Sequence, residues 1–275
     1  MGLIFIVDFP LSLDNLTSNE TYASDMMALY ETNRTGPYAS GTGDFLAFIP
    51  VQNFTEKVTS IAHAARRQNP MSYLPADTPM SVVHGYKKQL KLLAEGVDAD
   101  DQAVLEIIFS GSTFVLGLAH PFSRGSVRLA STDPFDAPLA DSGLLRNPLD
   151  VQLMVEAIKY ARTVASTSAM QPYNPAEILP GSNVTTDADL EAFVRENAST
   201  LFHPSGTCAA GRKHEGGVVD SRFRVYGVQN LRVVDASVFP MLPAAHIQST
   251  VYAVAEMVGL LRYILTGRML MLLGC

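Results

Sequence analysis

The chain has 275 residues, 47% of them hydrophobic and 17% charged, with a formal net charge of −7 and a pI near 5.3. That balance supports a packed core and excludes global disorder. With no run of Lys or Arg to track a phosphate backbone, it also argues against a nucleic-acid partner. The two cysteines, Cys208 and Cys275, form no CxxC, which argues against a thiolate zinc site or a redox pair.

Met1 to Val7 has no basic leader, and its apolar stretch is too short for a signal core, so no signal peptide is visible. Residues 1–53 are polar, with turn signals at Thr35-Gly36-Pro37 and Gly41-Thr42-Gly43. The 3.6-residue spacing of Phe54, Val58, Ile61, Ala62 and Ala65 predicts a helix over 54–69. Val83, Tyr86, Leu90, Leu93 and Ala94 predict another from Val82 to Glu95, with Gly96 as its cap. Val104 to Phe109, Thr113 to Leu118 and the alternation at Ser126 to Leu129 read as strands of an antiparallel sheet. Asp150 is the expected N-cap of a helix whose inner face carries Val151, Met154, Val155, Ile158 and Val164. Thr186 with Asp189 predicts a capping box for a further helix with Leu190, Phe193 and Val194 on its apolar side. Leu231 to Asp235 reads as a buried strand. Ser249 and Thr250 open a last helix with Val251, Val254, Ala255, Val258 and Leu265 on one stripe. The apolar stretch Val258 to Leu273 is interrupted by Arg262 and Arg268. A membrane span needs about 20 nearly uncharged residues, so no membrane partner is expected.

Asn-X-Ser/Thr sequons stand at Asn15, Asn19, Asn33, Asn53, Asn183 and Asn197 and point to an extracellular, secreted lineage.

Three local features in the last third carry chemistry. Phe202-His203-Pro204-Ser205-Gly206-Thr207-Cys208 holds a histidine on a loop. Gly216-Gly217-Val218-Val219-Asp220 leads to Arg224-Val225-Tyr226-Gly227-Val228. Leu231-Arg232-Val233-Val234-Asp235-Ala236-Ser237 runs on to His246-Ile247-Gln248-Ser249-Thr250. A strand end followed by a helix start is where α/β proteins bind nucleotide cofactors. The open N–H groups of a helix beginning at Ile247 or Gln248 favour an anion.

These motifs, in this order, resemble the C-terminal signature of the glucose–methanol–choline oxidoreductases, nearest the aryl-alcohol oxidase and glucose dehydrogenase-like branch. Upstream, His120-Pro121-Phe122-Ser123-Arg124-Gly125 and Asp133-Pro134-Phe135-Asp136 resemble the start of that family's C-terminal region. The resemblance is clear from about residue 118 to 265 and looser over 1–117. It implies an α+β architecture. Residues 1–200 would form part of a substrate-binding domain, an antiparallel sheet backed by helices, and residues 201–275 the C-terminal segment of an FAD-binding domain. It implies FAD as cofactor and a small alcohol or sugar as substrate, oxidised by hydride transfer to flavin. His203 stands where the family has its catalytic base, and His246 at the second active-site position, orienting the substrate oxygen. Asp235 and Ala236 stand where backbone approaches the FAD pyrophosphate, and Ile247 and Gln248 where residues line the isoalloxazine ring.

The family opens with a βαβ unit bearing Gly-x-Gly-x-x-Gly, which this chain lacks. The alternative is therefore a truncated, non-catalytic substrate-domain remnant that does not bind FAD alone. Under either reading the isolated chain is expected to be marginally stable or to self-associate through an uncovered apolar face. A serine hydrolase is disfavoured because no Gly-x-Ser-x-Gly elbow occurs. No metal site is expected, since no His pair has i, i+4 spacing and no Cys cluster exists. His63, His84, His120 and His214 read as structural or solvated residues.

Overall fold

The computed structural model describes residues 2–7, 15–40, 45–110, 113–173 and 175–266. The turn signals at Gly41 to Gly43 and the tail from Met269 lie outside them. In chain order the elements are β1 (Gly2–Val7), α1 (Asn15–Ser18), α2 (Glu20–Asn33), β2 (Phe45–Ile49), α3 (Val58–Arg67) and α4 (Met80–Asp98). There follow β3 (Leu105–Ser110), β4 (Thr113–Leu118), β5 (Ser126–Arg128), β6 (Leu139–Asp141), α5 (Pro148–Ala165), β7 (Glu177–Leu179), α6 (Asp187–Asn197) and α7 (Gln248–Thr266). The result is the expected mixture of helices and antiparallel sheet.

The chain divides into two compact units made of interleaved segments. The first comprises Met1–Ile61, Gly96–Pro121 and Asn147–Leu201; the second comprises Ala62–Glu95, Phe122–Arg146 and Phe202–Cys275.

The first unit is built on a five-stranded sheet in the order β2-β3-β4-β1-β7, antiparallel throughout. β3 and β4 form a hairpin that pairs Leu105 with Leu118 and Phe109 with Phe114. Phe114, Leu116 and Leu118 alternate along β4 and are fully buried, as period-2 strand geometry requires. Helices α5 and α6 pack on each other and on β1. The buried face of α5 is wider than its predicted stripe and includes Leu153, Ala157 and Ala161. Burying a side chain such as Leu153 or Ile158 contributes about 1.5–3 kcal/mol.

The polar layer over this core is an ion network. Glu156 is buried; its carboxylate accepts from Thr55 Oγ1 at 2.7 Å and from Lys57 Nζ at 2.9 Å, and Lys159 Nζ lies 3.0 Å away. Asp187 closes the network against both lysines. Burial pushes the Glu156 carboxyl up, but Lys57, Thr55 and Lys159 outweigh it and hold the group below its usual range.

Several sequence expectations need correction. The N-cap of α5 is Asn147, whose side chain accepts from Leu149 N at 3.1 Å, while Asp150 lies buried in the first turn. Pro148 at the first helical position explains this, because its fixed φ suits N1 and puts the cap on Asn147, three residues before the expected Asp150. Gly96 does not cap α4; the helix continues through Asp98, with the Gln102 side-chain amide lying against Gly96. The helix predicted over 54–69 is shorter, and Val51–Asn53 forms a 3₁₀ turn before it. Leu231 to Asp235 is not a buried strand: Leu231 is exposed, and the segment makes only an isolated bridge, Arg224 with Arg232. Strand propensity supplies extended backbone, but a buried strand needs neighbours on both edges. Thr186 caps α6 as expected, accepting from Asp189 N and donating to Asp189 Oδ2.

Candidate active site

The candidate site belongs to the second unit and rests on a core cluster of Val219, Phe223, Val238, Phe239 and Val258. Its local folding begins with a hairpin. Val225 N donates to Leu231 O, and Val233 N to Phe223 O, bringing the Val-Tyr-Gly-Val and Leu-Arg-Val motifs side by side. Asp220 closes the turn before it, accepting from the backbone N–H of Arg222 and Arg224 and from the Arg224 side chain. Desolvation raises the Asp220 carboxyl, but these donors outweigh it and hold it below the usual range. A groove of about 560 Å³ runs along this hairpin, lined by residues that include Asp220, Tyr226, Asn230 and Arg232. Neither His203 nor His246 lines it.

The hairpin leads into the Asp235-Ala236 turn. Asp235 caps the 3₁₀ turn Ala236–Val238, accepting from Ser237 N at 2.8 Å and from the Ser237 hydroxyl. Oδ1 of Asp235 is thus engaged inside the turn. The loop after His203 is laid against the same turn: Gly206 N donates to Ala236 O, Cys208 N to Ser237 O and Ala210 N to Val238 O. Gly206 has φ +85, and a Cβ there would stand 3.1 Å from the Phe239 carbonyl. The glycine of the His-Pro-Ser-Gly motif is thus required by backbone conformation and close approach. Phe202, immediately before His203, also holds a positive φ of 59 while 82% exposed. A non-glycine residue in that region costs roughly 1–3 kcal/mol and is found where a site over-determines the backbone.

His246 arrives from the other side of the turn, two residues before α7. The rings of His203 and His246 meet edge to face, with centroids 5.2 Å apart and planes at 74°. His203 is half-buried and His246 exposed. Helix α7 begins at Gln248, and its first turn closes with Val251 N donating to Ile247 O at 2.9 Å. The N–H groups of Gln248, Ser249 and Thr250 therefore precede the first intrahelical bond and mark the positive end of the helix dipole. Ile247 turns its side chain into the core cluster, whereas Gln248 is exposed. The two histidines are brought together, and Asp235-Ala236 is tied to the His203 loop through Gly206.

A supporting layer escaped the sequence reading. Gln89 on α4 donates from Nε2 to the Pro240 carbonyl at 2.7 Å and accepts from Arg124 Nε at 2.9 Å. The Arg124 guanidinium lies over the Tyr86 ring, 5.6 Å from its centroid, and Tyr86 donates its hydroxyl proton to Phe122 O. Glu215 packs against α4 where Gly85 leaves room, its carbonyl 2.1 Å from where a Cβ would lie, and its carboxylate pairs with Lys88. Arg124 was visible in the Ser-Arg-Gly motif. Gln89 gave no signal, because a polar residue on an amphipathic helix reads as solvated surface. Among the described residues no cluster of three or more His, Cys, Asp or Glu could hold a metal ion. No helix among them is long and apolar enough to cross a membrane.

Residues 121–255 match the C-terminal domain of the GMC oxidoreductase family. The chain is 37% identical over 249 residues to a patulin synthase of Aspergillus clavatus, covering 88% of this chain and 38% of that protein. Among solved structures it resembles an FAD-dependent oxidoreductase from Chaetomium thermophilum, with TM-score 0.90 and 29% identity, over 98% of this chain and 48% of the other. It also resembles a fungal aryl-alcohol oxidase, with TM-score 0.83 and 31% identity, over 94% of this chain and 46% of the other. The chain therefore spans less than half the length of the relatives it matches. The motif order, the paired histidines and these likenesses agree, and the chain belongs to the GMC oxidoreductase family, of which it carries the C-terminal part.

Proposed function

We propose that this chain supplies the substrate-facing histidines and part of the flavin wall of an FAD-dependent oxidoreductase acting on CH–OH donors. Its substrate would be a primary alcohol or a sugar hydroxyl. The contact between His203 and His246 carries the reading. Ring centroids 5.2 Å apart let a nitrogen from each ring reach one oxygen placed between them. A ring nitrogen of His203 takes the hydroxyl proton, the role of a positioned general base. His246 holds the same oxygen by a hydrogen bond and so fixes which carbon–hydrogen bond is presented.

The residues fit a flavin at one end. The open N–H groups of α7 suit the negative charge that builds on a reduced flavin ring. Ile247 and Gln248 would line that ring, and the backbone at Asp235 and Ala236 would approach the diphosphate. When bound, FAD supplies the hydride acceptor. Residues 1–200 would serve the substrate side and 201–275 the flavin side. The six sequons support an extracellular setting.

A second reading, a non-catalytic piece that does not hold FAD alone, is favoured by the exposed apolar side chains Tyr252, Met257 and Leu260 on α7. One experiment separates the two. The purified chain is incubated with excess FAD, desalted, and its visible spectrum recorded. It is then mixed anaerobically with an aryl or aliphatic alcohol. A retained flavin spectrum that bleaches with alcohol supports the enzyme; a colourless protein supports the second reading.

A further inference from the structure

The six sequons are not spread evenly. Asn15, Asn19, Asn33, Asn53, Asn183 and Asn197 all fall in the first compact unit, and the second, which holds His203 and His246, has none. Both units expose apolar side chains, the first at Phe45 and Ile178 and the second at Phe202, Val228, Leu231, Tyr252 and Leu260 among others.

The sequons also differ in what the fold leaves open. At Asn19, Asn33, Asn183 and Asn197 both the asparagine and the hydroxyl residue two positions on (Thr21, Thr35, Thr185 and Ser199) are exposed. Asn19 caps α2 through its Oδ1, which accepts from Tyr22 N, so substitution on Nδ2 leaves the cap intact. Asn33 ends α2, Asn183 lies in the turn before α6 and Asn197 ends α6. Asn197 donates from Nδ2 to the Phe193 carbonyl, and a singly substituted amide keeps one N–H for that bond. Asn53 is different: Thr55 is buried and its hydroxyl donates to the buried Glu156 carboxylate. Asn15 is half-buried and only four residues before Asn19.

We infer that the first unit is N-glycosylated at Asn19, Asn33, Asn183 and Asn197. Asn53 is closed by folding, Asn15 is half-buried and crowded by the acceptor at Asn19, and the histidine-bearing unit is kept free of sugar. In the modification a bond forms between the asparagine Nδ2 and the anomeric carbon of an oligosaccharide, and the bond from that carbon to a lipid diphosphate donor breaks. The amide loses one proton to solvent and the diphosphate leaves. An acceptor whose asparagine and hydroxyl both stay exposed remains available after folding. One whose hydroxyl is consumed by the core is available only before it. A glycan is bulky and hydrophilic, so a unit without acceptors keeps the surface around His203 and His246 unscreened. The inference is independent of the reaction proposed above.

The test is site mapping. The full chain is produced with a secretion leader in a fungal host, and protein is collected from both medium and cell membranes so that retention hides nothing. Glycans are removed by an amidase in heavy-oxygen water, and labelled peptides are read by mass spectrometry. Label is expected at all four sites, with Asn15 and Asn53 labelled at least several-fold less. Asn183→Gln and Asn197→Gln should each remove one glycan-sized step in electrophoretic mobility. Absence of label at any of the four, or Asn53 labelled as fully as they are, overturns the assignment.

Discussion

Gln89 reaches Pro240 across 151 residues of sequence, its side-chain amide donating a 2.7 Å hydrogen bond to the proline carbonyl while its own oxygen accepts from Arg124. Pro240 lies between the Asp235-Ala236 turn and His246, so this bond fixes the loop that delivers the second histidine. Gln89→Ala removes both bonds. A net cost of about 0.5–1.5 kcal/mol is expected from denaturant unfolding, since the site is partly exposed. Hydrogen exchange should show the loosening concentrated around residues 239–247. An unchanged exchange pattern there would mean the bond holds nothing.

His203→Ala, made in the flavin-loaded protein, should slow reduction by alcohol about 10²–10⁴-fold, the range for loss of a positioned base. His246→Asn, which keeps a hydrogen-bond donor, should cost less than His246→Ala. Rapid-mixing absorbance reads both. Equal rates in His203→Ala and wild type would remove His203 from the reaction.

Gly206→Ala places a Cβ at φ +85 and 3.1 Å from the Phe239 carbonyl. The strain should cost about 1–2 kcal/mol and shift the His203 loop against the Ala236 turn. Thermal unfolding should therefore report a lower midpoint than for the exposed control Ser221→Ala.

Leu116 is fully buried on β4, whereas Phe45 on the edge strand β2 is 60% exposed. Leu116→Ala should cost about 2–5 kcal/mol through lost burial and a cavity. Phe45→Ala should cost less than half as much, despite removing more atoms. Urea unfolding distinguishes them.

Glu156 is held below its usual range in the folded protein, so the folded state binds fewer protons there than the unfolded chain. Its contribution to stability is present above the unfolded value near pH 4.3 and is lost as pH falls through the lower folded value. Glu156→Gln should flatten the acid limb of a stability-versus-pH curve below about pH 5. Asp187, held down first by its hydrogen bond to Lys159, acts in the same sense. Glu156→Gln combined with Asp187→Asn should be flatter still.

Periodicity in the sequence determined the helices α3 to α7 and the strands β3 and β4, because each buries one face and the burial writes itself into the spacing of apolar residues. Short motifs, not periodicity, carried the family resemblance, since His-Pro-Ser-Gly and His-Ile-Gln-Ser-Thr combine special backbone and functional side chains in short stretches. Helix α2 was missed because none of its residues is buried, and β2 because an edge strand with one half-covered face has weak alternation. Leu231 to Asp235 has the composition of a buried strand, yet composition cannot say which neighbours lie on its edges. Only the tertiary structure brought His203 against His246, laid the Gly206 loop on Ala236, and recruited Gln89 from a helix that looks like ordinary surface. Local propensity acts over a few residues, whereas a site assembled from segments thirty or more residues apart depends on packing, and packing leaves no periodic trace in the chain.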